Sequence, residues 1–433
     1  MKSEAESQPQ PPIENTETKM VWWENQFLRI KRGKLYLGDK ESSQIANEHG
    51  TPLFVYSKDQ ILSHFHRIQR LLRRNSSLET RIYYAMKANA HPQILKTLRK
   101  EGAWIDAVSP GEVERARELG FPGKNILFTG TSVSKKDLVR VFEQEDVTVT
   151  IDACEQLELM KEVKEQHFKH KTIKVAIRWN PGVGRGFSPK TTTAGTKSPD
   201  GTPVKFGIEE SKVIPVLARA SAYGFVPNGL HQHLGSGWIA GDYDMVKLAV
   251  VKMIQKAHEA QKHGFNLEFL DFGGGFGPRY STDEKAFPLE RYIKLITKKI
   301  HQSDLKVKAI ALEPGKYLVA DAGILLLSVM YMKESHGNLF ACVNGGTFTS
   351  IPRPALYPQA EHPIINCSRL NAKKRVKITV AGNLCETGDV FGKEILMSPP
   401  QRGDVLAVLI AGAYCRSMAS HFNLRDIPKE IFI

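Results

Sequence analysis

Between residues 81 and 315 the sequence repeats one rhythm: a short β-rich run, a polar break and, in most intervals, a helix-like segment. The runs are RIYYAMK (81–87), AWIDAVS (103–109), NILFTG (125–130), VTVTID (147–152), KVAIRWN (174–180), NGLHQHLG (228–235), LEFLDFGG (267–274) and VKAIALEPG (307–315). Helical patterns such as PGEVERARELG (110–120), SKKDLVRVFEQE (134–145) and MVKLAVVKMIQKAHEAQKHG (245–264) lie between them. Parallel strands cannot be joined by tight hairpins and need a crossover, usually a helix. Eight such alternations therefore predict an α/β fold, a (β/α)8 barrel over 52–316.

The interval PGVGRGFSPKTTTAGTKSPDGTPVKFG (181–207) is far longer than the others and leaves the end of the fifth run. A loop of that length in a compact domain is usually functional, and a lid over the barrel mouth is expected. After 316 the rhythm stops. YLVADAGILLLSVMYMKE, NLFACVNGG, RVKITVAGN and DVLAVLIAGAY read as strands with few helical segments between them, which predicts a mainly β domain over 317–433. The early run FLRIKRGKLYLG (27–38) has the same character, so residues 21–51 are expected to join that domain as extra strands. Residues 1–20, polar and proline-bearing, read as a disordered tail, and a secretory signal is not expected.

No window approaches the roughly 18 consecutive apolar residues of a membrane span. The five cysteines are scattered without a CxxC pair, so neither a zinc site nor a disulfide framework is supported, and a cytoplasmic location is expected. The net charge of +14 invites a nucleic-acid reading, but the basic residues are spread along the chain without aromatic interleaving. A solvated basic surface that draws in small anions accounts for it better.

Catalytic groups in such barrels stand where strands end at the C-terminal face. Lys87 closes the first run, so its amine can enter the mouth; desolvation there is expected to lower its pKa and make it a nucleophile. The sixth run ends in His231-Gln232-His233-Leu234-Gly235-Ser236-Gly237, the seventh in Asp271-Phe272-Gly273-Gly274-Gly275-Phe276-Gly277, and the eighth in Glu313-Pro314-Gly315-Lys316. Singly, each has a plain structural meaning: a snorkelling lysine, a tight glycine turn, a core histidine. Converging on one mouth, an amine, a flat histidine, an anion-binding glycine loop and a carboxylate describe a pyridoxal phosphate pocket.

The ordered set YAMKAN, DAVSPGE, RWNPG, HLGSG, DFGGGFG, EPGK, RPALY, CETGD and GAY resembles the diaminopimelate decarboxylase branch of the fold-type III pyridoxal-phosphate decarboxylases, from about residue 50 to the C-terminus. The resemblance implies an alanine-racemase-like fold, pyridoxal 5'-phosphate as cofactor, and decarboxylation of meso-diaminopimelate to L-lysine. It further implies that Lys87 attaches the cofactor covalently. His233 would stack on the ring, Ser236, Gly274 and Gly275 would bind the phosphate, and Glu313 would pair with the ring nitrogen. Gly315, Lys316 and Tyr414 would line the cofactor. Arg353 and Tyr357, with Lys316 and Tyr414, would hold a substrate carboxylate. Cys385 and Glu386 would arrive from the partner subunit of a homodimer, with Cys385 as the proton donor. Asp106, Glu112 and Arg178 match positions that could support the site; His231 reads as structural.

Four positions depart from the family's usual pattern: Lys316 in place of arginine, Thr387 in CET, Asn344 in VNGG, and Phe187 where the lid often carries histidine. They keep open a sibling decarboxylase acting on D-ornithine, D-lysine or a siderophore-type diamino acid. An alanine-racemase-like enzyme fits less well because of Cys385, and a non-catalytic relative less well because Lys87 is intact.

Overall fold

The computed structural model describes residues 21–357 and 359–433; the tail expected over 1–20 lies outside the described residues. Chain order begins with β1 (Leu28–Lys31), β2 (Lys34–Leu37) and β3 (Lys40–Glu41), followed by β4 (Leu53–Tyr56). The barrel comprises β5 (Glu79–Ala85), β6 (Trp104–Ala107), β7 (Ile126–Phe128), β8 (Thr148–Ile151), β9 (Lys174–Arg178), β10 (Val226–His231), β11 (Phe269–Asp271) and β12 (Ala309–Leu312). These eight close into a parallel barrel with β12 hydrogen-bonded to β5.

Local chemistry explains the helices between them. Ser109 caps Pro110–Glu118 by accepting the Glu112 N–H, and Ser134 with Asp137 forms a reciprocal capping box on Lys135–Glu143. Tyr243–Lys262 buries one face that includes Val246, Ala249, Val250 and Met253. Inside the barrel, Tyr83, Leu127, Ala176, Phe269, Ala309 and Ala311 pack as a small interior cluster. That cluster fills the tube, so chemistry is confined to its rim.

The C-terminal β domain contains β13 (Gly323–Ser335), β14 (Asn338–Val343), β15 (Ile364–Asn366), β16 (Val376–Ala381), β17 (Val390–Met397), β18 (Val405–Val408) and β19 (Lys429–Phe432). Its strand path is β15-β18-β13-β14-β16-β17.

The expected boundaries need correction at the N-terminal side. Strands β1–β3, within 21–51, form their own three-stranded sheet and do not pair with the strands of the C-terminal domain, although β2 and the helix Ser42–His49 pack on that domain's Cys367–Arg369 turn. Their alternating pattern buries Leu28, Leu35 and Leu37 on one face, and the Leu28↔Leu37 register closes the hairpin on itself. The strand that does join is β4, taken from inside the span assigned to the barrel; it pairs with β13 and β19. All four of its residues are buried, as a strand covered on both faces must be.

Candidate active site

The first barrel strand stops at Ala85, and Lys87 lies in the 3-10 turn Met86–Ala88 just beyond it. About a third of its side chain is exposed, and its Nζ pairs with Asp106 at the end of β6. Asp106 is itself buried and accepts a hydrogen bond from Thr129 Oγ1. The expectation of a depressed lysine pKa does not hold. Burial pushes the ammonium down, but the field of Asp106, with those of Tyr414 and Glu313, outweighs it and holds the pKa above the ordinary lysine range. Glu112 stands behind, accepting the Val108 N–H at 2.7 Å, and burial raises its carboxyl.

Opposite the lysine, Glu313 follows β12 and is 4% exposed. His231 Nε2 lies 3.2 Å from both Glu313 carboxylate oxygens and hydrogen-bonds Oε2. His233 Nδ1 lies 3.7 Å from the same oxygen and accepts the Gly274 N–H at 3.3 Å. Arg178, at the end of β9, is buried with Asp152 3.7 Å away. The glycine loop has no room for side chains. A Cβ on Gly274 would fall 2.1 Å from the Glu313 carbonyl oxygen, and Gly275 has φ +112 with a Cβ position 2.3 Å from Trp238.

The outer wall holds two buried basic groups, Lys316 and Arg353. Lys316 Nζ sits 4.5 Å from the Phe187 ring centre and 5.9 Å from that of Tyr414. Arg353 Nη1 donates to Tyr280 Oη at 2.9 Å and to His362 Nε2 at 3.3 Å; His362 Nδ1 in turn donates to the Leu409 carbonyl. Burial, then the Arg353 charge, pushes Lys316 well below the ordinary lysine range, and the same pair of causes brings His362 to about 3. Tyr357 meets Phe187 edge-on at 5.8 Å. The loop over 181–207 lies against this wall: Phe187 N–H donates to the Ser236 carbonyl at 2.8 Å, and Lys190 Nζ donates to the Leu356 carbonyl at 3.1 Å.

Gly315 lets the turn after β12 close on the lysine turn, since its Cβ would lie 3.0 Å from Ala85 Cβ. Tyr414, with φ 55, donates its N–H to the Ala88 carbonyl at 2.8 Å, tying GAY to that turn. Cys385 and Glu386 do not reach this cluster within one chain. Both are exposed on the β16–β17 connection, where the Cys385 N–H donates to Asn423 Oδ1 at 2.9 Å. Tyr280 and His362 were missed in the sequence; Tyr280 lies only three residues past the glycine loop, whereas His362 has no local pattern to mark it.

The residues present fit pyridoxal phosphate. Glu313 Oε1 is buried without a hydrogen-bond partner, which suits a protonated ring nitrogen; a Cβ-free glycine loop suits a phosphate; an amine faces both. The pyridoxal-dependent decarboxylase family, by its pyridoxal binding domain, matches residues 58–320. The diaminopimelate decarboxylase of Methanothermobacter thermautotrophicus is 35% identical over 409 residues, 93% of this chain and 91% of that protein. The chain belongs to the diaminopimelate decarboxylase family. A second member, from Aquifex aeolicus, is 30% identical over 94% of this chain and 93% of its own.

Solved family structures superpose over nearly the whole chain. The diaminopimelate decarboxylase of Methanocaldococcus jannaschii in complex with L-lysine gives a TM-score of 0.84 at 29% identity, covering 94% of this chain and 93% of that one. The Helicobacter pylori enzyme, also complexed with L-lysine, gives 0.82 at 27% identity, covering 90% and 93%. The barrel with its C-terminal β domain is thus the fold-type III architecture, and the protein is a pyridoxal-phosphate-dependent carboxy-lyase. No helix among the described residues is long and apolar enough to cross a membrane.

Proposed function

We propose that this enzyme decarboxylates meso-2,6-diaminopimelate to L-lysine and carbon dioxide, a step of lysine biosynthesis, as a cytoplasmic homodimer with shared active sites. The observation that carries the substrate is the outer wall. Lys316 and Arg353 are buried side by side, and among the described residues no carboxylate lies within ion-pairing distance of either. Buried basic groups call for an anion. Diaminopimelate keeps a second carboxylate at its far end, whereas ornithine and lysine would bring an ammonium to the same wall. The relatives' names and the two lysine-bound family structures agree with this choice.

Bound pyridoxal phosphate supplies a ring that accepts the electron pair left when carbon dioxide departs. The chain's residues do the rest. Lys87 anchors the cofactor covalently, with Asp106 holding the amine in place. His233 supports the ring face, and Glu313 keeps a proton on the ring nitrogen. Ser236, Gly274, Gly275 and Tyr414 hold the phosphate, while Gly315 shapes the turn beneath. Arg353, Tyr357 and Lys316 fix the distal carboxylate, and Phe187 covers them against water. Cys385 from the partner protonates the reacting carbon, and Glu386 beside it contacts the substrate amine. The five cysteines are all free, in keeping with a reducing compartment.

Carbon dioxide release from a substrate panel tests the proposal. Meso-diaminopimelate should be turned over far faster than D-lysine or D-ornithine; release from either monocarboxylate at equal or greater rate would contradict it.

A further inference from the structure

We infer that His231 is a positioning residue for the reaction: it is the side chain that hydrogen-bonds Glu313, holding that carboxylate in place and ionised. The inference deepens the reading above and rests on it, since Glu313 there serves the cofactor's ring nitrogen.

The geometry assigns the proton. His231 ends β10 in register with Arg178 of β9 and Asp271 of β11, and is 1% exposed. Its Nδ1 has no hydrogen-bond partner, and its Nε2 faces the Glu313 carboxylate at 3.2 Å. An ionised carboxylate only accepts, so Nε2 carries the hydrogen. His233 cannot take over this task. Its Nδ1 accepts the Gly274 N–H and therefore has no proton to offer Glu313. Arg178 lies nearest to Asp152, without a hydrogen bond to Glu313.

The electrostatics run the same way. Facing Glu313 are Tyr83 of β5 and Lys87 beyond it, Arg178 of β9, His231 and His233 at the end of β10, and Asp271 of β11. Burial alone would push the Glu313 carboxyl up; His231 opposes it first, then Lys87 and Arg178, and the net shift is downward. Asp271 is fully buried with Oδ2 unpartnered, and burial followed by the Glu313 charge raises its own pKa well above the carboxylate range. Without the His231 donor, Glu313 is left as the same kind of buried, unsupported acid, and a protonated Glu313 cannot hold a proton on a ring nitrogen.

The test uses the wild-type holoenzyme and two variants, His231→Leu and His231→Gln. A neutron map of the wild type should place a deuteron on His231 Nε2 and none on Glu313; a deuteron on the Glu313 carboxylate would overturn the inference without any variant. In His231→Leu, infrared spectra at neutral pH should gain a carboxylic-acid band that is absent from His231→Leu/Glu313→Gln. The kcat should fall about 10- to 100-fold, the range for losing a hydrogen bond to a charged group, with KM nearly unchanged. His231→Gln, whose amide can still donate, should recover most of kcat and lose the acid band. Unchanged kcat and no acid band in a cofactor-loaded His231→Leu enzyme would reduce His231 to packing. A wild type that binds pyridoxal phosphate away from Glu313 would instead sink the underlying reading.

Discussion

Lys316 shows what one departure from a family pattern can do. A lysine presents a point charge where arginine presents a planar fork. Here it is buried beside Arg353, and that neighbour together with desolvation pulls its pKa well down. A carboxylate arriving between them must draw a proton onto Lys316. Binding of L-lysine at a pH above the free Lys316 pKa should therefore take up protons, measurable by calorimetry in two buffers of different ionisation heat. Lys316→Arg should abolish that uptake; identical uptake in both enzymes would refute the assignment. Arg353→Met should raise KM for diaminopimelate steeply, about 30-fold or more, as expected when one partner of a buried charge pair is removed at a cost of about 2–5 kcal/mol. His362 adds an effect on stability. Its folded pKa of about 3 lies below the unfolded value of 6.5, so the unfolded chain binds the extra proton between those limits. Stability is full above about 6.5 and falls toward acid, by about 1.4 kcal/mol per pH unit per proton. His362→Gln should lose less stability than wild type between pH 7 and pH 5 in denaturant titrations; parallel losses would clear His362. The sequence marked Lys316 and Arg353 as carboxylate ligands but not their burial together or the part of His362. Lys316 was visible as a departure, but the hydrogen bonds of its neighbour Arg353 to His362 and Tyr280 depend on contacts between two domains.

At the scale of elements, strand ends were the legible part. The runs ending in Lys87, His233 and Glu313 do surround one rim, because parallel strands in a closed barrel bring their C-terminal ends together. What failed was the assignment of flanking strands. The alternation in 27–38 describes a strand with one wet face and does not say which sheet it enters, and it closed on itself instead. The continuous apolar run of 53–56 was the true sign of a central strand. Lys87's pKa direction also escaped, since Asp106 lies 19 residues away on the neighbouring strand. The glycine loop yields a sharp expectation. Gly274→Ala would put a methyl 2.1 Å from the Glu313 carbonyl oxygen, so the loop or β12 must shift. Cofactor affinity in an equilibrium titration should fall at least tenfold while thermal unfolding of the cofactor-free protein moves little; unchanged affinity would remove the loop from the cofactor site.

For the whole molecule, the position of Cys385 is the informative fact. It is exposed on a turn far along the chain, and a single subunit leaves the barrel mouth without it. If two subunits complete each other's sites, random mixing of inactive Lys87→Ala and Cys385→Ala proteins should restore roughly a quarter of wild-type activity, one good site in each hybrid of a two-fold dimer. No recovery would mean that each subunit is self-sufficient or that another residue donates the proton. The resemblance carried by the ordered motifs implies this division of labour, while a closing surface shared by two chains would have no periodicity to read. The central claim concerns a single amine, and the molecule offers a rival in Lys316, buried at the same mouth with the lower pKa. Borohydride reduction of the holoenzyme followed by peptide mass spectrometry decides between them. The account predicts a pyridoxyl group on the peptide containing Lys87; a pyridoxyl group on Lys316, or on no lysine at all, would contradict it.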